Sequence, residues 1–244
     1  MKALLSSTYF GPIQWYQKLN RYDECLIERH ESFIKQTYRN RMLIPTTNGP
    51  LSLTIPTNHN TSLAMKDIRI SDHANWRHVH WNALLSAYGE SPFFEYYQDD
   101  IRPFYEKKYE FLFDFNMEIT EKMIEFLDIR PKISVTNEYI QNEELKVKSI
   151  ESEELKVKSE EFNGLANHKV QSSNLKVQSK EVQSKEVQSI VDFREAIRPK
   201  KPLPDAEFES KRYYQVYEQK FGFQPNMSIL DLLFNEGNEA IFYL

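Results

Sequence analysis

The chain holds a single cysteine, Cys25, among 244 residues. That excludes an intrachain disulfide and any zinc site built from several thiolates. It fits a reducing compartment. A lone cysteine on a strand serves as a small apolar side chain more often than as a nucleophile. Glycine is scarce too, with six residues. They spell neither a Gly-rich dinucleotide fingerprint nor a P-loop. His-Glu-x-x-His and a nucleophile elbow are also absent. No run approaches the roughly 20 apolar residues of a membrane span. Lys2 is followed only by Ala3-Leu4-Leu5, too short for a signal-peptide core. The expectation is a soluble, cytoplasmic protein. An excess of positive charge is lacking as well. The balance is 31 − 36 = −5, which argues against a general nucleic-acid binder.

Aromatic residues are abundant, with 14 Tyr, 16 Phe and 3 Trp, so the chain can build a sizeable core. They stop at about Tyr139. From Gln141 to Ile190 the sequence carries 8 lysines and 9 acidic residues, and Phe162 is its only aromatic. Glu143-Glu144-Leu145-Lys146-Val147-Lys148-Ser149 recurs at Glu153 to Ser159, and Lys180-Glu181-Val182-Gln183-Ser184 repeats at once. Each copy offers one Leu and one Val at most. That is too little apolar surface to offset the entropy of ordering the segment, so a solenoid is excluded. The reading is a low-complexity, disordered linker at 141–190. It interrupts one α/β domain made of residues 1–140 and 191–244.

Before the linker the patterns are those of a mixed α/β fold, a short mixed sheet flanked by helices. Strands are expected at Ala3–Leu5, Cys25–Glu28, Arg41–Ile44, Leu51–Ile55 and Lys66–Ile70. Pro12 suits a helix start, with Ile13, Tyr16 and Leu19 on one face. A longer helix is expected from about Phe111 to Leu127. After the linker, the prolines of Arg198–Pro204 forbid helix. Ser228 and Gly237 bracket a short capped helix.

Three stretches could carry chemistry. Read at 100° per residue, Trp76 to Tyr88 forms a helix whose apolar stripe is Trp76, Val79, Ala83 and Ala87, extended around the helix by Leu84, Tyr88, Trp81 and Leu85. Arg77 and His80 fall inside that apolar arc. Either partners in the core satisfy them, or the arc lines a pocket. His78 and His80 lie about 200° apart on a helix, so they cannot share a metal. The second stretch, Lys35-Gln36-Thr37-Tyr38-Arg39-Asn40-Arg41, offers three cations and two amides to an anion, or is a solvated basic loop. The third is the turn Ser6-Ser7-Thr8-Tyr9 after the first strand, a position where α/β sheets bind ligands.

Together, Ser7-Thr8-Tyr9-Phe10-Gly11-Pro12-Ile13, Phe33 to Arg41, Trp76 to Trp81, Ala87-Tyr88, Ser91-Pro92-Phe93-Phe94-Glu95 and Ser228 to Gly237 resemble the WbqC-like family, closest to its Bacteroides-like branch. Elsewhere in the family Gln-Pro precedes Tyr-Phe in the first turn, where this chain has Ser7-Thr8. The resemblance implies a component of O-antigen or other surface-polysaccharide assembly. One activity it implies is acyl or aminoacyl transfer, glycyl included, onto a nucleotide- or lipid-linked amino sugar. In that account Lys35, Gln36, Arg39 and Arg41 hold the phosphate, and Trp76, Trp81 and Tyr9 line the substrate. His80 deprotonates the amine, while Arg77 or Asn40 steadies the oxyanion. No cofactor or metal is expected. The alternative is a non-catalytic module that binds a phosphorylated glycan precursor or a partner protein.

Overall fold

The structure is a computed structural model that describes residues 1–58, 63–141 and 189–244. The repeats lie outside the described residues. Strand β1 (Lys2–Ser6) leads through helix α1 (Ile13–Arg21) to strand β2 (Glu24–Glu28). Their inner residues are almost continuously apolar, the pattern of a parallel sheet covered on both faces. Strands β7 (Ile133–Val135) and β8 (Ile190–Asp192) complete a four-stranded sheet in the order β7-β2-β1-β8, with every pairing parallel. Among the described residues antiparallel strands pair in two ribbons. One is β3 (Arg41–Ile44) with β4 (Leu51–Thr54), and the other is β5 (Thr57–Asn58) with β6 (Arg69–Ile70). Isolated antiparallel bridges join Pro12 to Ser228, Ser32 to Ala64 and Arg69 to Phe111. The expected strand at Lys66–Ile70 is shorter than its pattern suggests. Met65–Asp67 turns as a 3-10 helix, and only Arg69 and Ile70 pair.

Helices α2 (Trp76–Tyr88), α3 (Phe94–Ile101), α4 (Pro103–Glu106) and α5 (Leu112–Phe126) follow, and Pro12 flanks α1 as its N-cap. An aromatic layer joins them to the turn after β1. Tyr9 stacks on Phe115 with centroids 5.9 Å apart, and Phe10 meets Phe104 edge-on at 6.0 Å. Cys25 is buried. Its thiol faces the Lys18 carbonyl, and burial pushes its pKa up to about 12, which leaves it a protonated core residue.

The residues after the repeats join the same hydrophobic cluster. Short helix α6 (Glu218–Phe221) precedes α7 (Ile229–Glu236), whose Ile229, Leu230, Leu232, Leu233 and Phe234 are fully buried. Ser228 caps α7 by accepting from the Leu230 amide, and Gly237 ends it at φ 57°. A 3-10 helix, Gly237–Tyr243, closes the chain. Lys18 on α1 is fully buried, bonded to Asp205 at 2.9 Å, with its ammonium 4.4 Å over the Phe193 ring. Among the described residues no helix is long and apolar enough to cross a membrane.

Candidate functional site

Strands β2 and β7 lie on one side of β1, and β8 lies on the other. Loops leaving the carboxyl ends of such strands diverge, and a crevice opens between them. Here the crevice is a cleft of about 470 Å³, lined by His30, Glu31, Arg39, Tyr139, Asp192 and Arg194, with Glu195 beside them.

Its inner wall is a closed set of hydrogen bonds. Arg39 grips Glu31 with both arms of its guanidinium, Nε to Oε1 at 2.7 Å and Nη2 to Oε2 at 2.5 Å. Nη2 also donates to Ser6 Oγ at 2.8 Å, Nη1 donates to Thr37 Oγ1 at 3.1 Å, and Ser6 Oγ donates to Glu31 Oε2 at 3.1 Å. A bidentate fork of this kind is what lets a charge pair tolerate burial. The second wall follows β8. Arg194 donates through Nε to Asp192 Oδ1 at 3.0 Å and through Nη2 to Asp192 Oδ2 at 2.8 Å and the Ile140 carbonyl at 2.9 Å. Burial opposes its charge, and Asp192 outweighs that, so its pKa is raised. The guanidinium sits 5.0 Å over the Tyr139 ring. Glu195 pairs with Arg198 at the rim.

The residues singled out from the sequence divide among three places. Arg39 enters the cleft just described. Lys35 and Gln36 stand exposed on the same loop, with Gln36 at φ 61° and its Oε1 accepting from Lys200 Nζ at 3.3 Å. Tyr9, Asn40, Trp76 and His80 come together in the core around the end of β4. Tyr9 Oη lies 2.9 Å from His80 Nδ1 and 3.0 Å from Tyr105 Oη. Asn40 Nδ2 donates to the Ile55 carbonyl at 3.0 Å, and Arg41 Nε donates to Thr54 Oγ1 at 2.9 Å. Burial lowers the His80 pKa to about 4, against the opposing pull of a hydrogen bond to the Thr54 backbone. His80 is therefore a neutral imidazole at physiological pH.

Arg77 does not share that environment. Its Nε donates to the Lys107 carbonyl at 3.1 Å and its Nη1 to Asp72 at 2.5 Å, while the guanidinium lies 4.6 Å over the Trp76 ring. With Trp81 it lines a second cleft of about 440 Å³ beside His78, Arg102 and Lys108. The buried face of α2 is thus narrower than the apolar arc expected from the sequence. Trp76, His80, Leu84, Ala87 and Tyr88 are buried, whereas Val79 is 54% exposed. The reason is tertiary, since the Tyr9 hydroxyl supplies a partner for His80 that the helical wheel cannot contain.

Ser6 belongs to the turn singled out from the sequence, whereas Glu31, Asp192, Arg194, Glu195 and Tyr139 complete the cleft and escape a reading of the sequence. Glu31 had one signal, its place just after a strand. Asp192 and Arg194 follow so closely on the repeats that their strand is hard to see.

A family model described as the WbqC-like protein family matches residues 7–195 and 203–243. The chain belongs to this family. Most of the cleft of this WbqC-like protein, from Glu31 and Arg39 to Arg194 and Glu195, lies inside the matched residues. A Mycobacterium tuberculosis protein named "Uncharacterized protein Rv1507c" is 26% identical over 245 residues, covering 99% of this chain and 96% of its own length. No solved structure matches the chain.

Proposed function

We propose that this WbqC-like protein transfers an acyl or aminoacyl group, such as glycyl, to the amine of a nucleotide- or lipid-linked amino sugar used in surface-polysaccharide assembly. The sheet-edge cleft is the acceptor site. The observation that carries this reading is the cleft's charge. Three carboxylates, Glu31, Asp192 and Glu195, face two guanidiniums, Arg39 and Arg194. The guanidiniums hold Glu31 and Asp192 in place. A substrate ammonium donates three hydrogen bonds, which carboxylate oxygens accept, and Glu195 is the carboxylate nearest the rim, where Arg198 pairs with it. The cleft volume suits one sugar ring with its substituents.

In the reaction the ammonium passes a proton to a cleft carboxylate. The freed amine nitrogen bonds to the acyl carbon as that carbon's bond to the donor oxygen or sulfur breaks, and the nitrogen's second proton passes to the departing oxygen or sulfur, which leaves as the free alcohol, acid or thiol. The carrier phosphates meet the rim, where Lys35 is exposed and Lys200 reaches Gln36. Arg39 acts as a positioning residue, because Glu31, Ser6 and Thr37 already engage its donors. His80 holds Tyr9, and through it the turn after β1.

Calorimetry with UDP-glucosamine, UDP-N-acetylglucosamine and UDP-glucose tests the acceptor site. Binding should require the free amine and weaken about ten-fold in Glu195→Gln, a loss of one charge-assisted contact. Equal binding of the acetylated sugar would overturn the reading. Incubation with UDP-glucosamine and a glycyl thioester then separates catalysis from a non-catalytic glycan-binding module. Amide product by mass spectrometry supports transfer, and binding without product supports the module.

A further inference from the structure

Two of the sequence stretches, Ser91–Glu95 and Ser228–Gly237, take no part in the sheet-edge cleft. They meet each other instead. Between the start of α3 and the end of α7 lies a hollow of about 420 Å³ lined by Phe93, Tyr96, Tyr97, Glu236, Asn238 and Glu239. It shares no lining residue with the sheet-edge cleft.

The hollow is firmly built. The Phe93 amide donates to the Phe234 carbonyl at 3.0 Å, and Phe94 meets Phe234 edge-on at 5.0 Å. Tyr97 Oη donates to Asn238 Oδ1 at 3.1 Å, and Tyr96 stands edge-on to Tyr97 at 4.8 Å. Gly237 has φ 57°, and a Cβ there would stand 2.7 Å from the Phe93 ring. Only glycine lets this backbone press against that ring.

Its chemistry is one-sided. Three aromatic rings and two carboxylates line it, and no lysine, arginine or histidine does. Neither Glu236 nor Glu239 forms an ion pair with another described residue, and Glu236 Oε1 accepts from the Tyr214 amide at 2.9 Å, which leaves Glu239 as the uncommitted charge. Tyr96 is 74% exposed and Phe242 is 71% exposed. Residues three apart eclipse in a 3-10 helix, so Phe242 extends the face that carries Glu239. Aromatic faces and carboxylates attract the same ligand, a cation with an apolar shell. A neutral apolar ligand would leave the carboxylates without counter-charge, and an anion would be repelled.

We infer that this hollow is an organic-cation site, taking a substituted ammonium group from a small amine or from a lysine side chain. Tyr96 supplies the ring face and Glu239 the charge. The test is an NMR titration of the ¹⁵N-labelled full chain, following the amides of Glu236 to Glu239. Choline is compared with its neutral isostere 3,3-dimethylbutan-1-ol, and N-acetyl-lysine-N-methylamide with its norleucine counterpart. At least one cation should give saturable shifts, with its isostere about ten-fold weaker or silent. Tyr96→Ala and Glu239→Gln, both at exposed positions, should abolish the shifts while the rest of the spectrum stays unchanged. Glu195→Gln in the other cleft should leave them intact, so the two sites fail or stand separately. Absence of saturable shifts with either cation, equal binding of the isosteres, or full binding by both variants would overturn the inference. Which cation binds identifies the source of the ammonium.

Discussion

His80 and Asp231 are buried titratable groups whose effects on stability have opposite signs. An unfolded imidazole takes its proton near 6.5, whereas the folded His80 waits until about pH 4. Its contribution is complete above pH 6.5 and is lost as pH falls toward 4. The loss is roughly 3 kcal/mol at most. Burial raises the Asp231 carboxyl from 3.8 to about 6, against hydrogen bonds from Tyr213 and Gln215 that lower it. The folded state therefore takes that proton first, and stability from this group grows as pH falls from 6 toward 3.8. The two trends oppose each other in the same window. Urea denaturation at pH 7 and pH 5 separates them. Asp231→Asn should lose more stability than wild type on acidification, and His80→Gln should lose less. Gly237→Ala is a third residue-level case. It places a methyl against Phe93 at a positive φ and should cost about 1–3 kcal/mol, read by thermal unfolding.

At the level of elements, the buried Lys18–Asp205 pair ties α1 to the segment that follows β8. Gln14 Nε2 adds a second bond to Asp205 at 2.8 Å. Lys18→Met would strand the Asp205 carboxylate in a nearly dry site. The expected loss is about 3–5 kcal/mol in urea denaturation. The double variant Lys18→Met, Asp205→Leu should recover much of it, because the carboxylate that remains, Glu207 at 3.6 Å from Lys18, is half exposed to water. If both variants unfold alike, the lysine stem's packing over Phe193 is what matters. Helix α7 is a simpler case. Leu233 is fully buried, and Leu233→Ala should cost about 2–5 kcal/mol through its cavity.

For the whole molecule, the expectation concerns the join between the two described stretches. Arg194 bonds the Ile140 carbonyl at the carboxyl end of the sheet, while Lys2 bonds the Ser189 carbonyl at the other end. The ends of the two described stretches therefore lie at opposite ends of the sheet, a span that about a dozen residues bridge in a parallel crossover. Replacing residues 142–188 with a Gly/Ser linker of about 15 residues should leave the fold intact. Loop-closure entropy changes by less than about 2 kcal/mol over this range of lengths. Circular dichroism and thermal unfolding check this. A melting temperature that collapses would show the repeats to be part of the core's support.

Much of the architecture was legible in the sequence because it is local. Alternating and continuous apolar runs located β1, β2, β3 and β4. Pro12, Ser228 and Gly237 set helix ends through their own backbone chemistry. The motif stretches identified the family, and the composition change at Tyr139 located the repeats. The sites were legible only in part. Arg39 was singled out, yet the Glu31 that neutralises it acts through folding, which closes the loop after β2 onto the end of β1. Arg77 and His80 looked equivalent on a helical wheel. The structure separates them, one over Trp76 in an open cleft and the other against Tyr9 in the core. Helical phase is encoded within a few residues. Which face meets which partner is decided by distant segments, and only the packed molecule brings those together.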